Sequence, residues 1–223
     1  MIIQLILLAL AAILPSLAQS KVLSAYNKYS RVKNSKNLKG KDVARKILDR
    51  NNLSKVKVSD VSGQLSDHYN PGTKTVNLST SIYEDTSIAS LAVAAHECGH
   101  AIQDKESYSF LKFRTALVPV VNFTSRISSI LLIIGIASQL TNLITIGIFL
   151  LSGGLLFQLV TLPVEFNASN RAMKQLEEMG LVNKADYSGT KEVLHAAALT
   201  YVAAFLSTAL QILRLVVATK DRR

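Results

Sequence analysis

Residues 117–162 read LVPVVNFTSRISSILLIIGIASQLTNLITIGIFLLSGGLLFQLVTL, and this stretch decides the architecture. Arg126 is its one charged side chain, and no Asp or Glu occurs between Glu106 and Glu165. At ~1.5 Å per residue, about 20 helical residues cross the ~30 Å hydrocarbon layer of a bilayer. The runs 117–140 and 143–162 are each long enough, so the stretch predicts a transmembrane hairpin. Arg126 is expected to face protein or to snorkel toward an interface.

The same reading extends outward. Residues 1–20, MIIQLILLALAAILPSLAQS, carry no charge and form another candidate span. Small residues at Ser16-Leu17-Ala18 offer a signal-peptide cleavage point, but the basic n-region of such a peptide is missing, which favours a retained anchor. Residues 193–218 are a weaker candidate, because they include His195, Gln211 and Arg214; a helix lying in the membrane interface is the alternative there. With 49% hydrophobic residues, no Trp and a mean hydropathy of +0.28, the 223-residue chain is more apolar than one soluble core requires. The expected fold is mainly α: a polytopic membrane protein with a small β-sheet. Its expected parts are an N-terminal transmembrane helix at 1–20, a membrane-proximal region at 21–115, the hairpin at 116–163, a further helix at 164–192, and a hydrophobic helix with a basic tail at 193–223.

The net charge is +10, and its distribution matters more than its total. Lys21, Lys28, Arg31, Lys33, Lys36, Lys39 and Lys41 follow the first span before the first acid, Asp42. By the positive-inside rule, residues 21–115 face the cytoplasm of a multi-pass protein of the cell membrane. Four complete spans from an outside N-terminus would leave Lys220, Arg222 and Arg223 outside, against that rule; a cleaved first segment or a non-spanning last helix would remove the conflict. No aromatic platform or binding motif accompanies the lysines, so nucleic acid is not an expected partner, and a solvated charge run near lipid is preferred. The single Cys98 excludes an intrachain disulfide.

Between the first span and the hairpin, Lys41 to Leu53 reads as a short amphipathic helix that stops at Asn51-Asn52. Val56-Lys57-Val58 and Thr75-Val76-Asn77-Leu78 alternate as strands around the turn Asn70-Pro71-Gly72. A buried helix then starts at the capping residues Asp85-Thr86-Ser87 and covers Ile88–Gln103; charges at both ends make it a core helix rather than a span. Beyond the hairpin, Pro163 is expected to open another helix that reaches Met179 and stops at Gly180.

The buried helix carries His96-Glu97-Cys98-Gly99-His100, an H-E-x-x-H pattern. Residues four apart stack on one helical face, so two imidazoles can share a Zn²⁺ at ~2.0–2.1 Å. Glu97, one position around from His96, can reach a water on the metal and is placed as a base. Average residue usage gives such a match by chance on the order of once in a hundred chains. Two histidines and an unpaired Glu on a buried helix would also suffer desolvation without a metal or other partners. Cys98 lies about 200° from His96 at ~100° per residue and should point away from the metal as a small core residue. Gly99 lets another backbone approach closely or is a packing choice.

A catalytic zinc needs a third protein ligand. The acid-free hairpin restricts a carboxylate ligand to the chain before Glu97 or to Glu165 and beyond. Glu165 heads a stripe of Ala168, Ser169, Ala172, Leu176 and Met179 that is otherwise apolar except for Ser169, and a carboxylate there calls for a cation. The alternative is an N-terminal acid stabilised by the helix dipole after Pro163. An even number of spans between them returns Glu165 to the membrane face that carries His96 and His100.

Four blocks carry a family resemblance: Ser66-Asp67-His68-Tyr69-Asn70-Pro71, Ala94 to Gln103, Leu162-Pro163-Val164-Glu165-Phe166-Asn167-Ala168-Ser169, and Ala196 to Ala204. In order and spacing they resemble the YugP-like neutral zinc metallopeptidases of bacterial membranes, similar in layout to HtpX- and Ste24-type peptidases. The resemblance implies a zincin-like core with one Zn²⁺ per chain held by His96, His100 and Glu165. Asn167 stands where the family pattern carries an acid, and Ser169 where the HtpX-like pattern carries Asp. The expected activity is hydrolysis of peptide bonds, as an endopeptidase, through a zinc-activated water with Glu97 as general base. Its partners would be a protein or peptide substrate and the lipid bilayer. The Thr75–Leu78 strand is a candidate for pairing with an extended substrate, and His68, Tyr69 and Tyr201 are candidate oxyanion donors, each equally readable as an ordinary hydrogen-bonder. An intramembrane-cleaving protease would need a membrane-length helix around His96. A membrane scaffold or adaptor retaining the zinc site is the non-enzymatic alternative.

Overall fold

The computed structural model describes residues 2–220, and the chain divides into two compact units. Arg222 and Arg223 of the basic tail lie outside the described residues. The elements, in chain order, are α1 Ile2–Tyr29, α2 Gly40–Arg50, β1 Lys57–Val61, β2 His68–Asn70, β3 Thr75–Ser79, α3 Thr80–Tyr83, α4 Ile88–Lys105, α5 Ser109–Ala137, α6 Thr141–Glu178 and α7 Lys184–Lys220.

Of the described residues, one unit comprises 2–19, 112–163 and 199–220, which include parts of α1, α5, α6 and α7. These four are the described helices long and apolar enough to cross a membrane. Large apolar side chains face outward: Phe149 is 77% and Ile133 69% exposed. Such surface suits lipid, where backbone polar groups are satisfied inside helices. Hydroxyls bond mostly to their own helix, as in Ser129 to Ser125 O, Thr145 to Thr141 O and Ser152 to Ile148 O. Between helices, Ser128 Oγ donates to Gly147 O at 2.8 Å, Ser207 Oγ to Ala11 O at 2.6 Å and Gln158 Nε2 to Thr208 Oγ1 at 3.0 Å. Small residues allow this: a Cβ on Gly147 would come within 2.7 Å of the Leu132 side chain. The C-terminal segment therefore matches the other three in length and apolarity, and its Ser207 is tied to α1.

The second unit comprises residues 20–111 and 164–198. Helix α2 buries Val43, Ala44, Ile47 and Leu48 against α4, and its end at Asn51-Asn52 fits the sequence reading, with Asn52 at a φ of 56°. The sheet has the order β1-β3-β2, with β1 parallel and β2 antiparallel to β3. Central β3 sends Val76 and Leu78 into a core shared with Ile47, Leu48, Ile82 and Leu91. Each such side chain, removed completely from water, contributes roughly 1.5–3 kcal/mol. Helix α4 begins at Ser87, whose Oγ accepts from Ser90 N at 3.1 Å, where the capping residues placed it. Buried Asn34 locks the preceding loop to that start through Thr86 O and Leu38.

Two expectations are corrected. Helix α6 runs unbroken from Thr141 through Pro163 to Glu178, so Pro163 does not open a helix. Proline removes one ladder bond, and the helix continues through it with Val160, Thr161, Val164 and Glu165 buried. The stop at Gly180, with φ 60°, is as expected. The sheet also contains β2, for which the apolar alternation offers no expectation; β1 runs Lys57–Val61 rather than Val56–Val58.

Candidate metal centre

All the groups of the centre lie in the second unit. Helix α4 stacks His96 and His100 on one face, with ring centroids 4.8 Å apart and the rings nearly perpendicular. Glu165 Oε2, from α6, sits 3.3 Å from His96 Nε2 and 3.5 Å from His100 Nε2. The three donors lie within 4.8 Å of one another. The Glu165 side chain is 3% exposed, and its stripe is buried from Ala168 through Leu176 as its spacing predicted.

Gly99 permits this approach. A Cβ there would lie 2.5 Å from Ala168 O, so α4 and α6 touch backbone to backbone between the two histidines. Cys98 points the other way, with Sγ 3.5 Å from Ala44 O of α2, and burial pushes its thiol up. Both outcomes follow the helical angles.

Each histidine has a partner at Nδ1: Ser169 Oγ at 3.2 Å for His96, and Gln103 Oε1 at 3.0 Å for His100. Gln103 Nε2 reaches Val164 O at 2.8 Å and Asn167 Oδ1 at 3.0 Å, and Arg171 Nε donates to the same Asn167 oxygen at 2.6 Å. Ser169 and Asn167 are thus both engaged around the histidines. Gln103 and Arg171 were not singled out in the sequence. Their spacing was the available signal, since Gln103 is three residues beyond His100 and Arg171 four beyond Asn167.

Burial pushes the Glu97 carboxyl up to about 7; nearby His96 and the Tyr69 backbone N–H act in the opposite direction, while Glu165 and Asp67 add to the rise. Glu165 lies beyond the 143–162 apolar run; burial alone would raise it, but hydrogen bonds from His100 and His96 prevail and hold it well below the usual carboxylate range. Asp67 accepts from Ser79 N and Oγ and is raised by burial.

His68 Nδ1 lies 2.8 Å from Ser66 O and its Nε2 3.2 Å from Asn77 Nδ2. The Tyr69 hydroxyl donates to Asp104 at 2.6 Å, beside Lys74. Tyr201 belongs to the apolar unit. The Thr75–Leu78 strand is β3, paired on both sides, and has no free edge for a substrate; β2 is the edge whose Tyr69 N–H meets Glu97.

The donors fit a zinc ion. Two imidazole nitrogens and one carboxylate oxygen are a catalytic zinc set, and the convergence of a buried carboxylate with two rings whose Nδ1 atoms are already occupied leaves the Nε2 atoms and Oε2 facing a common point. A nearly closed carboxylate at such a point needs a cation.

The chain is similar to "Putative membrane protease YugP" of Bacillus subtilis (strain 168): 46% identical over 199 residues, covering 89% of this chain and 88% of the relative. No solved structure matches. The profile of the family described as "Putative neutral zinc metallopeptidase" matches residues 4–220. With this match over nearly its whole length, on a sequence whose two histidines and glutamate converge in space, the chain belongs to that family of zinc metallopeptidases.

Proposed function

We propose that this membrane protein is an endopeptidase that binds one Zn²⁺ per chain through His96, His100 and Glu165 and uses Glu97 as general base. The convergence of the three donors, with Glu97 one residue around the same helix, is the observation that carries the reading. Zinc bound there would supply a Lewis acid toward the scissile carbonyl and lower the pKa of water toward ~7. Glu97 takes the proton of the attacking water and returns it to the leaving amine, a task suited to a carboxyl that burial has moved to about 7. An extended peptide would align along β2, at the sheet edge beside Glu97, in a zincin-like arrangement. The basic residues after the first span support a cytoplasmic position for this unit.

The test is zinc content and cleavage of a denatured model protein by detergent-purified wild type, Glu97→Gln and Glu165→Ala. The proposal expects stoichiometric zinc in wild type, zinc without cleavage in Glu97→Gln, and weakened zinc in Glu165→Ala. Cleavage untouched by Glu97→Gln would remove the base, and a zinc-bearing wild type that cleaves nothing would favour the scaffold.

A further inference from the structure

Two arginines stand inside the apolar runs, Arg126 and Arg214, and their surroundings differ. Arg126 of α5 is exposed. Arg214 of α7 is half-buried and lines a pocket of about 120 Å³, with polar Gln4 and Thr219 and with Ile136, Ile144, Leu215 and Ala218 as apolar wall. All of these residues belong to the apolar unit. Ile136 and Ile144 flank the turn between α5 and α6, so the pocket lies at that end of the unit. Between Lys112 and Ile136 helix α5 rises ~36 Å, a little more than the ~30 Å hydrocarbon layer, which puts the pocket at headgroup level.

Arg214 makes no hydrogen bond or ion pair among the described residues. The described residues of its unit, 2–19, 112–163 and 199–220, contain no Asp or Glu, and Asp221 lies outside the described residues. A guanidinium keeps its proton, so an arginine at the edge of the hydrocarbon needs an anion or water. In a bilayer the anion at that depth is the phospholipid phosphate, whose oxygens match the guanidinium fork. The Thr219 hydroxyl is spent on the Leu215 and Val216 carbonyls, which leaves Arg214 as the group to hold that anion. A water's share of liquid volume is ~30 Å³, so the pocket has room for a phosphate-sized group, with the acyl chains lying along the helices outside it. A zwitterionic lipid would also bring an ammonium in need of an acid, and the described part of the unit has none; an anionic headgroup makes no such demand.

We propose that Arg214 and its pocket bind the phosphate of an anionic phospholipid, one per chain, at the end of the apolar unit where α5 passes into α6. The site is separate from the metal centre, whose groups all lie in the other unit. A lipid held there offsets positive charge near the end of α7, the charge that the positive-inside rule counts against a fourth complete span.

The test is native mass spectrometry of the full chain after mild delipidation in detergent, beside thermal melting with added lipid. Wild type should retain one phospholipid and take phosphatidylglycerol in preference to phosphatidylethanolamine from an equimolar mixture. Arg214→Gln should weaken retention ~10–100-fold, the loss expected when hydrogen bonds to a charged group are removed. Ala218→Leu, which fills the pocket and leaves the charge, should weaken it as well. Arg214→Lys keeps the charge without the fork and should fall between, so the comparison survives if Arg214→Gln does not fold. Retention unchanged in Arg214→Gln, or unchanged in Ala218→Leu, would set the arginine against bulk headgroups and overturn the site, as would a wild type that retains no lipid. Inorganic phosphate that raises Tm as far as phosphatidylglycerol does would overturn the lipid assignment in favour of a free ion. Equal uptake of the two lipids would overturn the anionic preference.

Discussion

The two units bury polar groups under opposite rules. In the apolar unit, hydroxyls such as Ser129 and Thr145 bond to a carbonyl one turn back, and Ser207 donates to Ala11 O of another helix. In the metal-bearing unit, polar groups form chains: Glu106, Arg171, Asn167, Gln103 and His100 are linked in sequence, and Tyr69, Asp104 and Lys74 form another cluster. Charged groups recruit one another only where water or an ion can compensate them, whereas in lipid the least costly polar side chain is one that answers its own backbone. The candidate metal centre follows the same division: the acid-free hairpin contributes length and apolar surface, and the carboxylates of the centre lie in the other unit.

The strongest way to break this comparison is at the base. Glu97→Gln is expected to lower peptidase turnover by ~10²–10⁴-fold with zinc retained, checked by single-substrate kinetics beside metal analysis. Retained turnover would mean that the carboxyl is structural.

Gly99→Ala comes next, since its Cβ would fall 2.5 Å from Ala168 O and backbone must yield. A loss of about 1–3 kcal/mol in unfolding free energy is expected, with weakened zinc as Glu165 is displaced. A variant as stable as wild type would show that α4 and α6 have room to part.

The pH response sharpens the comparison further. A carboxyl raised in the folded state binds its proton more tightly there than when unfolded, so its stabilising effect is complete below the ordinary value of 4.5 and is lost as pH rises through about 7. Metal-free Glu97→Gln should therefore gain on metal-free wild type over that window, by up to roughly 3 kcal/mol, read as a growing difference in Tm. Parallel curves would place the Glu97 carboxyl in a more polar setting.

The smallest effect is expected in the apolar unit. Ser207→Ala removes one neutral bond and should cost about 0.6 kcal/mol in detergent, with zinc affinity unchanged. A change in zinc affinity there would show that the units are energetically coupled.

Several elements were legible because their causes are local. The cap at Ser87, the apolar run behind it and the charges after it fix α4 without reference to the rest of the chain. The positions of Cys98 and Gly99 relative to His96 follow from helical angles alone. Strand β2 was not legible, because His68-Tyr69-Asn70 has no alternating apolar pattern and exists by pairing with β3. The passage of α6 through Pro163 differs from the expectation because the local cost of proline is visible in sequence, whereas one lost ladder bond is tolerated inside a long helix.

By itself, the sequence determined the apolar runs, the pair of histidines four residues apart with a glutamate between them, and a buried carboxylate in need of a cation, because periodicity and hydropathy are properties of short segments. Only the tertiary structure decided that Glu165 meets both imidazoles, that β2 is the edge beside Glu97, and that Gln103 rather than a carboxylate stands behind His100. Those facts depend on where α4, α6 and the sheet come to rest against one another, and directional hydrogen bonds between distant segments leave no period in the chain.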